Sequence, residues 1–287
     1  ADRVIIAMGS VTEAAREAID HLVAEGKKVG MVAVHLYRPF SVKHLFAAVP
    51  ATVKKIAVLD RTKEPGAEGE PLYLDVKSAY YDQENRPVIV GGRYGLGSSD
   101  ITPAKIISVF NNLELPEPKN HFTVGIVDDV TFTSLPAVEE MALGGKSIYE
   151  AKFFGLGADG TVGANKNSVK IIGDTTDKHC QAYFSYDSKK SGGFTCSHLR
   201  FGDEPIRSTY QITTPNFVAC HVQAYLNMYD VTRGIRENGS FLLNTIFEGE
   251  ELVNFIPNKV KRVFAEKNIT VYYINATKIA QEIGLGN

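Results

Sequence analysis

The sequence predicts an α/β protein of two domains, each a mostly parallel sheet flanked by helices. Its 287 residues suggest two domains, because a domain usually takes about 100–200 residues. Short apolar runs alternate with stretches of helical apolar spacing, which is typical of a parallel sheet covered on both faces. The alternation breaks after residue 115 and resumes at residue 151. We therefore expect domains over residues 1–118 and 151–287, with a docked connector over residues 119–150.

In the first domain, apolar runs predict strands at residues 4–7, 29–34, 56–59 and 88–90. The stretches between them have helical spacing and predict helices at residues 11–25, 42–49, 72–81 and 102–111. Gly26 is expected to end the first helix, since glycine readily adopts the left-handed conformation found after helices. Residues 123–133 in the connector are expected to be extended, with no helix after them.

The second domain is expected to repeat the pattern from residue 151 onward. Its predicted strands cover residues 151–154, 181–186, 195–200, 207–211, 217–219, 241–245 and 270–274. Its predicted helices cover residues 161–173, 257–267 and 276–283.

Composition and charge exclude several classes of protein. The 31 basic and 33 acidic residues give a net charge of -2, which does not fit a nucleic-acid-binding protein. No apolar stretch approaches the roughly 18 residues that a membrane span needs. Cys180, Cys196 and Cys220 form no CxxC pair, so the sequence predicts neither an iron–sulfur cluster nor a structural zinc site. An odd number of cysteines favours reduced thiols in a cytoplasmic protein.

A glycine-rich turn between a predicted strand and a predicted helix is the sharpest motif in the chain. Gly155, Gly157 and Gly160 form a G-x-G-x-x-G string. Glycines at these positions let backbone amides approach a pyrophosphate at the positive end of the helix. The string favours binding of a phosphate or pyrophosphate, and a tight turn without a ligand is the alternative. Asn165 and Lys166, on the helix that follows, are further candidate cofactor-binding residues.

The end of the next predicted strand bears on which nucleotide is bound. An NAD site requires an acidic residue there, and Asp187 is available, but Ser188, Lys189 and Lys190 follow it at once. Two lysines and a hydroxyl suit a phosphomonoester on the ribose, which NADP or coenzyme A carries. A solvated basic turn is the alternative.

Five segments together resemble one known family. They are HLYRPF at 35–40, DRTKEPG at 60–66, GRYGLGS at 92–98, and the stretches 154–167 and 185–207. In this order they resemble pyruvate:ferredoxin (flavodoxin) oxidoreductase over essentially the whole chain. The resemblance implies a transketolase C-terminal-like domain followed by a Rossmann-like γ-type domain of 2-oxoacid oxidoreductases.

The resemblance also implies an activity. Such an enzyme decarboxylates pyruvate on thiamine diphosphate with Mg²⁺, passes electrons through [4Fe-4S] clusters to ferredoxin or flavodoxin, and forms acetyl-coenzyme A. The thiamine-binding parts and the cluster cysteines of the family are missing from this sequence, and a sheet strand begins at residue 4. We therefore expect a middle fragment that is inactive alone, supports coenzyme A binding, and assembles with the remaining domains of a cytoplasmic homodimer. No catalytic residue or metal ligand is assigned to it.

Coenzyme A is expected to place its pyrophosphate near Gly155, Gly157 and Gly160. Its 3′-phosphate is expected near Lys189 and Lys190, at the end of an adjacent parallel strand about 5 Å away. Two alternatives remain open, namely a self-contained NADP-dependent dehydrogenase that uses the glycine turn, and a pair of non-catalytic interaction domains.

Overall fold

A computed structural model describes residues 1–145, 147–187 and 193–285 of the chain. The chain forms two compact units. The first unit contains Ala1–Leu143 with Arg207–Tyr210, and the second contains Gly144–Ile206 with Gln211–Asn287. Each unit holds one sheet flanked by helices, so the predicted α/β class is confirmed. The predicted domain boundaries at residues 118 and 150 stay a prediction.

The first unit is built on a fully parallel sheet with the strand order β2-β1-β3-β4-β5. Its strands are β1 (Arg3–Ala7), β2 (Val29–Ala33), β3 (Lys55–Asp60), β4 (Val88–Tyr94) and β5 (Phe122–Val124). Its helices are α1 (Val11–Ala24), α2 (Val42–Ala48), α3 (Pro71–Ala79) and α4 (Pro103–Glu114). The predicted extended segment 123–133 supplies only the short edge strand β5.

Continuous apolar strands arise here because both faces of the sheet are buried. In β1, Ile5 packs in a cluster with α1 and α4, whereas Val4 and Ile6 pack in a second cluster with α2 and α3. Gly26 follows α1 with a φ of +82°, as predicted from its residue type. The α1 helix therefore ends where the chain can turn back into β2 without side-chain strain.

A buried carboxylate positions the start of α3. Both oxygens of Asp60, at the end of β3, accept backbone hydrogen bonds at 3.1 Å, one from Leu72 and one from Tyr73. Burial raises the pKa of Asp60, and the two backbone hydrogen bonds oppose that rise. Asp60 thus occupies the positive end of α3 with a group of the chain itself.

Gly92 is required where β4 pairs with β5. A Cβ atom at this position would lie 2.1 Å from Cε2 of the Phe122 ring, and Phe122 is fully buried. We expect Gly92→Ala to lower the free energy of unfolding by about 1–3 kcal/mol through overpacking, measured by chemical denaturation. In Gly30→Ala, the matched control in β2, the new methyl would lie 3.4 Å from its nearest neighbour. A change within about 0.5 kcal/mol is expected there, and equal losses in both variants would contradict the packing argument.

The second unit contains a mixed sheet with the order β11-β10-β9-β6-β8-β7. Its strands are β6 (Tyr149–Leu156), β7 (His179–Asp187), β8 (Phe194–Gly202), β9 (Phe217–Cys220), β10 (Ser240–Asn244) and β11 (Thr270–Ile274). Its helices are α5 (Thr161–Thr175), α6 (Tyr225–Met228), α7 (Gly249–Phe255), α8 (Asn258–Glu266) and α9 (Ala276–Glu282). Strands β6, β9, β10 and β11 are parallel, whereas β8 is antiparallel to both of its neighbours.

Two expectations for this unit were wrong. The strand that ends at Asp187 was expected beside β6, but β8 lies between them, because the six residues joining β7 to β8 are too few for a parallel crossover. The predicted strand at 207–211 does not form. Instead, the hydroxyl groups of Ser208 and Tyr210 donate to the buried carboxylate of Glu17 on α1, so these residues pack as part of the first unit.

Candidate ligand site at the carboxyl edge of the second sheet

The carboxyl ends of four parallel strands meet at one edge of the second sheet, and a cavity of about 950 Å³ lies there. In open α/β sheets, this edge is where ligands commonly bind. The walls come from the turn after β6, the start of α5, the ends of β9 and β10, and helix α9. The polar lining residues are Asp159, Thr161, His221, Gln223, Asn244, Thr245, Asn275 and Thr277.

The glycines of the turn after β6 allow a close approach of strand and helix. A Cβ atom at Gly155 would lie 2.3 Å from Oγ1 of Thr161, so α5 can start directly against β6 only if residue 155 lacks a side chain. Gly160 precedes α5 with a φ of +82°, a left-handed conformation that favours glycine. The amide of Gly157 donates to the carbonyl of Gly193 at 2.8 Å and is thus already engaged within the protein.

A carboxylate of the chain itself occupies part of the positive end of α5. Asp159 accepts hydrogen bonds from the amide of Leu156 at 2.7 Å and from the amide of Thr161 at 2.9 Å. The next two amides of the first turn, those of Val162 and Gly163, have no acceptor among the described residues. A Cβ atom on Gly163 would meet no atom within 4 Å. An anion at this helix end would therefore use Val162 and Gly163 and would lie close to Asp159.

His221 and Asn244 shape the cavity, and sequence reasoning missed both. Oγ1 of Thr161 and Nδ1 of His221 are hydrogen-bonded at 2.6 Å. Burial lowers the pKa of His221, and the nearby Asp159 carboxylate opposes that effect. The Asn244 side chain donates to the His221 carbonyl at 3.1 Å and accepts from the Ala276 amide at 2.9 Å. Their positions in the sequence could have identified them, because both residues stand at the ends of predicted strands that share this edge.

Of the other predicted cofactor-binding residues, Asn165 and Lys166 do not line this cavity. Asn165 is buried, and its side chain donates to the Thr161 carbonyl at 2.8 Å, so it stabilises the first turn of α5. The Lys166 ammonium lies 5.6 Å from the centre of the Phe184 ring on β7, over the sheet. Ser188, Lys189 and Lys190 lie outside the described residues.

The residues that flank this basic segment are well placed relative to the glycine turn. Asp187 is paired with Phe194, and Phe194 is paired with Leu156. The end of β7 and the end of β6 are therefore at the same edge of the sheet, two strand spacings or about 10 Å apart. The expected separation of about 5 Å is wrong by one strand.

The arginine of the glycine-rich segment in the first unit is already paired within the protein. Arg93 on β4 lies with its Nε 3.2 Å from Oε1 of the buried Glu70, and it donates to the carbonyl of His121 at 3.1 Å. These contacts support a structural role for Arg93.

The cysteines lie in separate places. Cys180 on β7 contacts the Val169 carbonyl of α5, whereas Cys196 and Cys220 are buried on β8 and β9. Burial raises the pKa of Cys220 to about 12. Within residues 1–145, 147–187 and 193–285, no group of three or more His, Cys, Asp or Glu side chains is arranged to hold a metal ion. None of the helices in those ranges is both long and apolar enough to cross a membrane.

Comparison with known proteins gives one consistent family. The family model for pyruvate:ferredoxin oxidoreductase core domain II matches residues 1–106, and that for pyruvate ferredoxin/flavodoxin oxidoreductase matches residues 150–287. Pyruvate-flavodoxin oxidoreductase of Klebsiella pneumoniae is 55% identical over 287 residues, which is 100% of this chain and 24% of the relative. Pyruvate:ferredoxin oxidoreductase of Moorella thermoacetica is 53% identical with the same coverage. The chain thus spans about a quarter of the length of these curated relatives.

Among solved structures, the chain is similar to the γ subunit of keto/oxoacid ferredoxin oxidoreductase from Geobacter sulfurreducens. The TM-score is 0.35 at 18% identity, over 48% of this chain and 68% of the other.

The second unit, with its glycine turn leading from a parallel strand into a helix at the edge of a cavity, is a Rossmann-like α/β unit. Sequence identity over all 287 residues then decides the particular family. The chain belongs to the pyruvate:ferredoxin/flavodoxin oxidoreductase family, and its homologues are oxidoreductases.

Proposed function

We propose that this chain is the coenzyme A-handling segment of a pyruvate:ferredoxin/flavodoxin oxidoreductase. In the complete reaction, pyruvate loses CO₂ and two electrons, the coenzyme A thiol loses its proton as the thioester forms, and ferredoxin or flavodoxin accepts the electrons. Thiamine diphosphate, Mg²⁺ and [4Fe-4S] clusters supply this chemistry on the remaining domains of the same enzyme, a cytoplasmic homodimer. The 55% and 53% identity over the whole chain to a pyruvate-flavodoxin and a pyruvate:ferredoxin oxidoreductase supports this assignment.

One observation carries the coenzyme A assignment: a 950 Å³ cavity bounded by the glycine turn, at the sheet edge from which the lysine-containing segment after Asp187 also leaves. Coenzyme A carries a pyrophosphate and a 3′-phosphate on its nucleotide part, and we match these two groups to the start of α5 and to the lysines that follow Asp187 in the sequence. The pyrophosphate would lie near Gly155, Gly157 and Gly160 and take its hydrogen bonds from Val162 and Gly163. The Asp159 carboxylate opposes that placement, so much of the attraction must come from Lys189 and Lys190.

We expect the double substitution Lys189→Ala with Lys190→Ala to weaken coenzyme A binding about ten-fold or more, measured by calorimetry. A charge-assisted contact contributes about 1.5–3 kcal/mol, and lysine acts here as a mobile point charge. Binding of 3′-dephospho-coenzyme A should be nearly unchanged, because it lacks the phosphate that the lysines contact. Lys259→Met, an exposed lysine on α8, is the matched control.

Other outcomes of this binding experiment would favour the alternatives. Equal weakening of both ligands would show that the lysines act through the general field or through folding. Tight binding of NADP in place of coenzyme A would favour the dehydrogenase alternative, and binding of neither would favour interaction domains.

The isolated chain is expected to be inactive. Residues 1–287 with pyruvate and coenzyme A should not reduce a viologen dye, because three scattered cysteines cannot ligate four irons and no group in the chain replaces the thiamine ylid. The dye assay checks this directly, with a full-length relative as the positive control. Turnover by the isolated chain would contradict the division of labour proposed here.

A further inference from the structure

Two hydrogen-bond donors that find no acceptor among the described residues, those of Lys152 and His198, stand side by side in the second sheet. Lys152 on β6 and His198 on β8 are directly opposite each other in the antiparallel register, so their Cβ atoms are about 4.5–5.5 Å apart on one face. Side chains alternate along a strand, and Gly155 faces α5. Lys152 and His198 therefore lie on the face opposite α5, away from the start of that helix.

The proton of His198 can be assigned from its neighbours. Nδ1 accepts a hydrogen bond from the amide of Ile212 at 3.1 Å, so Nδ1 carries no proton, and the neutral ring carries its proton on Nε2. His198 is only 3% exposed, and its Nε2 is buried without a hydrogen-bond partner among residues 1–145, 147–187 and 193–285. A buried N–H group without an acceptor is uncommon, because almost all such groups are paired with protein or water.

Lys152 also lacks a hydrogen-bond acceptor among the described residues. Its ammonium lies 5.3 Å from the centre of the Phe154 ring and makes no hydrogen bond or ion pair with any described residue. The side chain is half-buried, and burial lowers its pKa. Its charge lies close enough to His198 to lower the pKa of that imidazole.

Two acidic residues close to Lys152 in sequence or in charge interaction, Glu150 and Asp230, are engaged with other side chains. Glu150, two residues before Lys152, binds Arg200 through Oε1 at 2.7 Å and Arg236 through Oε2 at 2.5 Å. Asp230 accepts from the hydroxyl of Thr232. The local balance is therefore positive, and the two hydrogen-bond donors face no acceptor in the part of the chain that the structure describes.

We propose that Lys152 and His198 form a binding site for the carboxylate or phosphate group of a small molecule. The Lys152 ammonium would contribute a mobile charge, and His198 would donate a fixed hydrogen bond from Nε2. This site is distinct from the cavity at the carboxyl edge, and it does not depend on the coenzyme A proposal.

The test uses the purified chain with inorganic phosphate and with acetate as ligands, followed by NMR of the histidine ring nitrogens and by calorimetry. We expect a saturable shift of the His198 Nε2 signal with at least one anion, and the preferred anion distinguishes a phosphate site from a carboxylate site. Lys152→Met should weaken binding about ten-fold or more. His198→Asn should do the same, because its amide oxygen can still accept from Ile212 whereas the Nε2 donor is lost.

Lys259→Met, remote on α8, should bind like the parent chain. The absence of a His198 shift in the parent chain with either anion would overturn the proposal, and that reading does not require any variant to fold. Undiminished binding by both Lys152→Met and His198→Asn would overturn it as well.

Discussion

Replacement of Glu150 by Gln should lower the free energy of unfolding of the second unit by about 3–5 kcal/mol, the usual cost of removing one partner from a buried ion pair. Glu150 is 5% exposed and Arg200 is 1% exposed. The carboxylate of Glu150 is the shared acceptor for Arg200 and Arg236. Glu150→Gln removes the carboxylate charge that Oε1 presents to the deeply buried Arg200 at 2.7 Å, whereas the oxygen that Gln181 presents to Arg200 at 2.9 Å is neutral.

Chemical denaturation followed by circular dichroism measures this loss. The matched control is Asp203→Asn, which breaks the 2.7 Å ion pair with Lys178. These two side chains are 70% and 39% exposed, so the expected loss is below about 1 kcal/mol. If the two variants lost similar stability, burial would not be what makes the Glu150 pair important.

Acidification is expected to destabilise the second unit through His198. Burial, followed by the charges of Lys152 and Arg200, lowers the pKa of His198 to about 3, whereas an unfolded histidine has a pKa of about 6.5. The stability linked to this depressed pKa is complete above about pH 6.5 and is lost as the pH falls towards 3, because only the unfolded state takes up the proton in that window. The expected loss is on the order of a few kcal/mol.

Other carboxylates titrate in the same range, so the measurement is a difference between two proteins. Unfolding free energies of the parent chain and of His198→Asn are compared from pH 7 to pH 3 in buffers free of phosphate and carboxylate ions. The variant is expected to be less stable at pH 7 but to show the shallower pH dependence. Parallel pH curves for the two proteins would show that His198 is not buried in its neutral form.

The first sheet was largely predictable from local sequence. The runs in β1, β2 and β3 are continuous and apolar, and the predicted bounds agree with the observed strands within about two residues. This succeeded because burial on both faces removes the ambiguity of an alternating pattern. Helix ends were also local features, as the positive φ of Gly26 shows. Strand β4 extends to Tyr94, beyond its predicted end, because Gly91 and Gly92 are accommodated against Tyr73 and Phe122.

Strand order in the second sheet was less predictable. The short connection after Asp187 indicates an antiparallel pair on length alone. The glycine motif instead favoured a repeating parallel unit, and this expectation was wrong, because β7 and β8 are antiparallel. Residues 207–211 have the composition of a strand, yet Ser208 and Tyr210 instead bind Glu17. The position of that acceptor, almost 200 residues away in sequence, was not visible in any local pattern.

For the candidate site, the sequence by itself determined the turn at the edge of the cavity: Gly155 and Gly160 specify a tight strand-to-helix turn whatever lies around them. Only the tertiary structure decided which groups remain available there. Asp159 takes two of the amides, and the pairing of β6 with β8 places Lys152 beside His198. The physical reason is that backbone conformation depends on a few neighbouring residues, whereas burial, hydrogen-bond partners and charge balance depend on strands that meet only after folding.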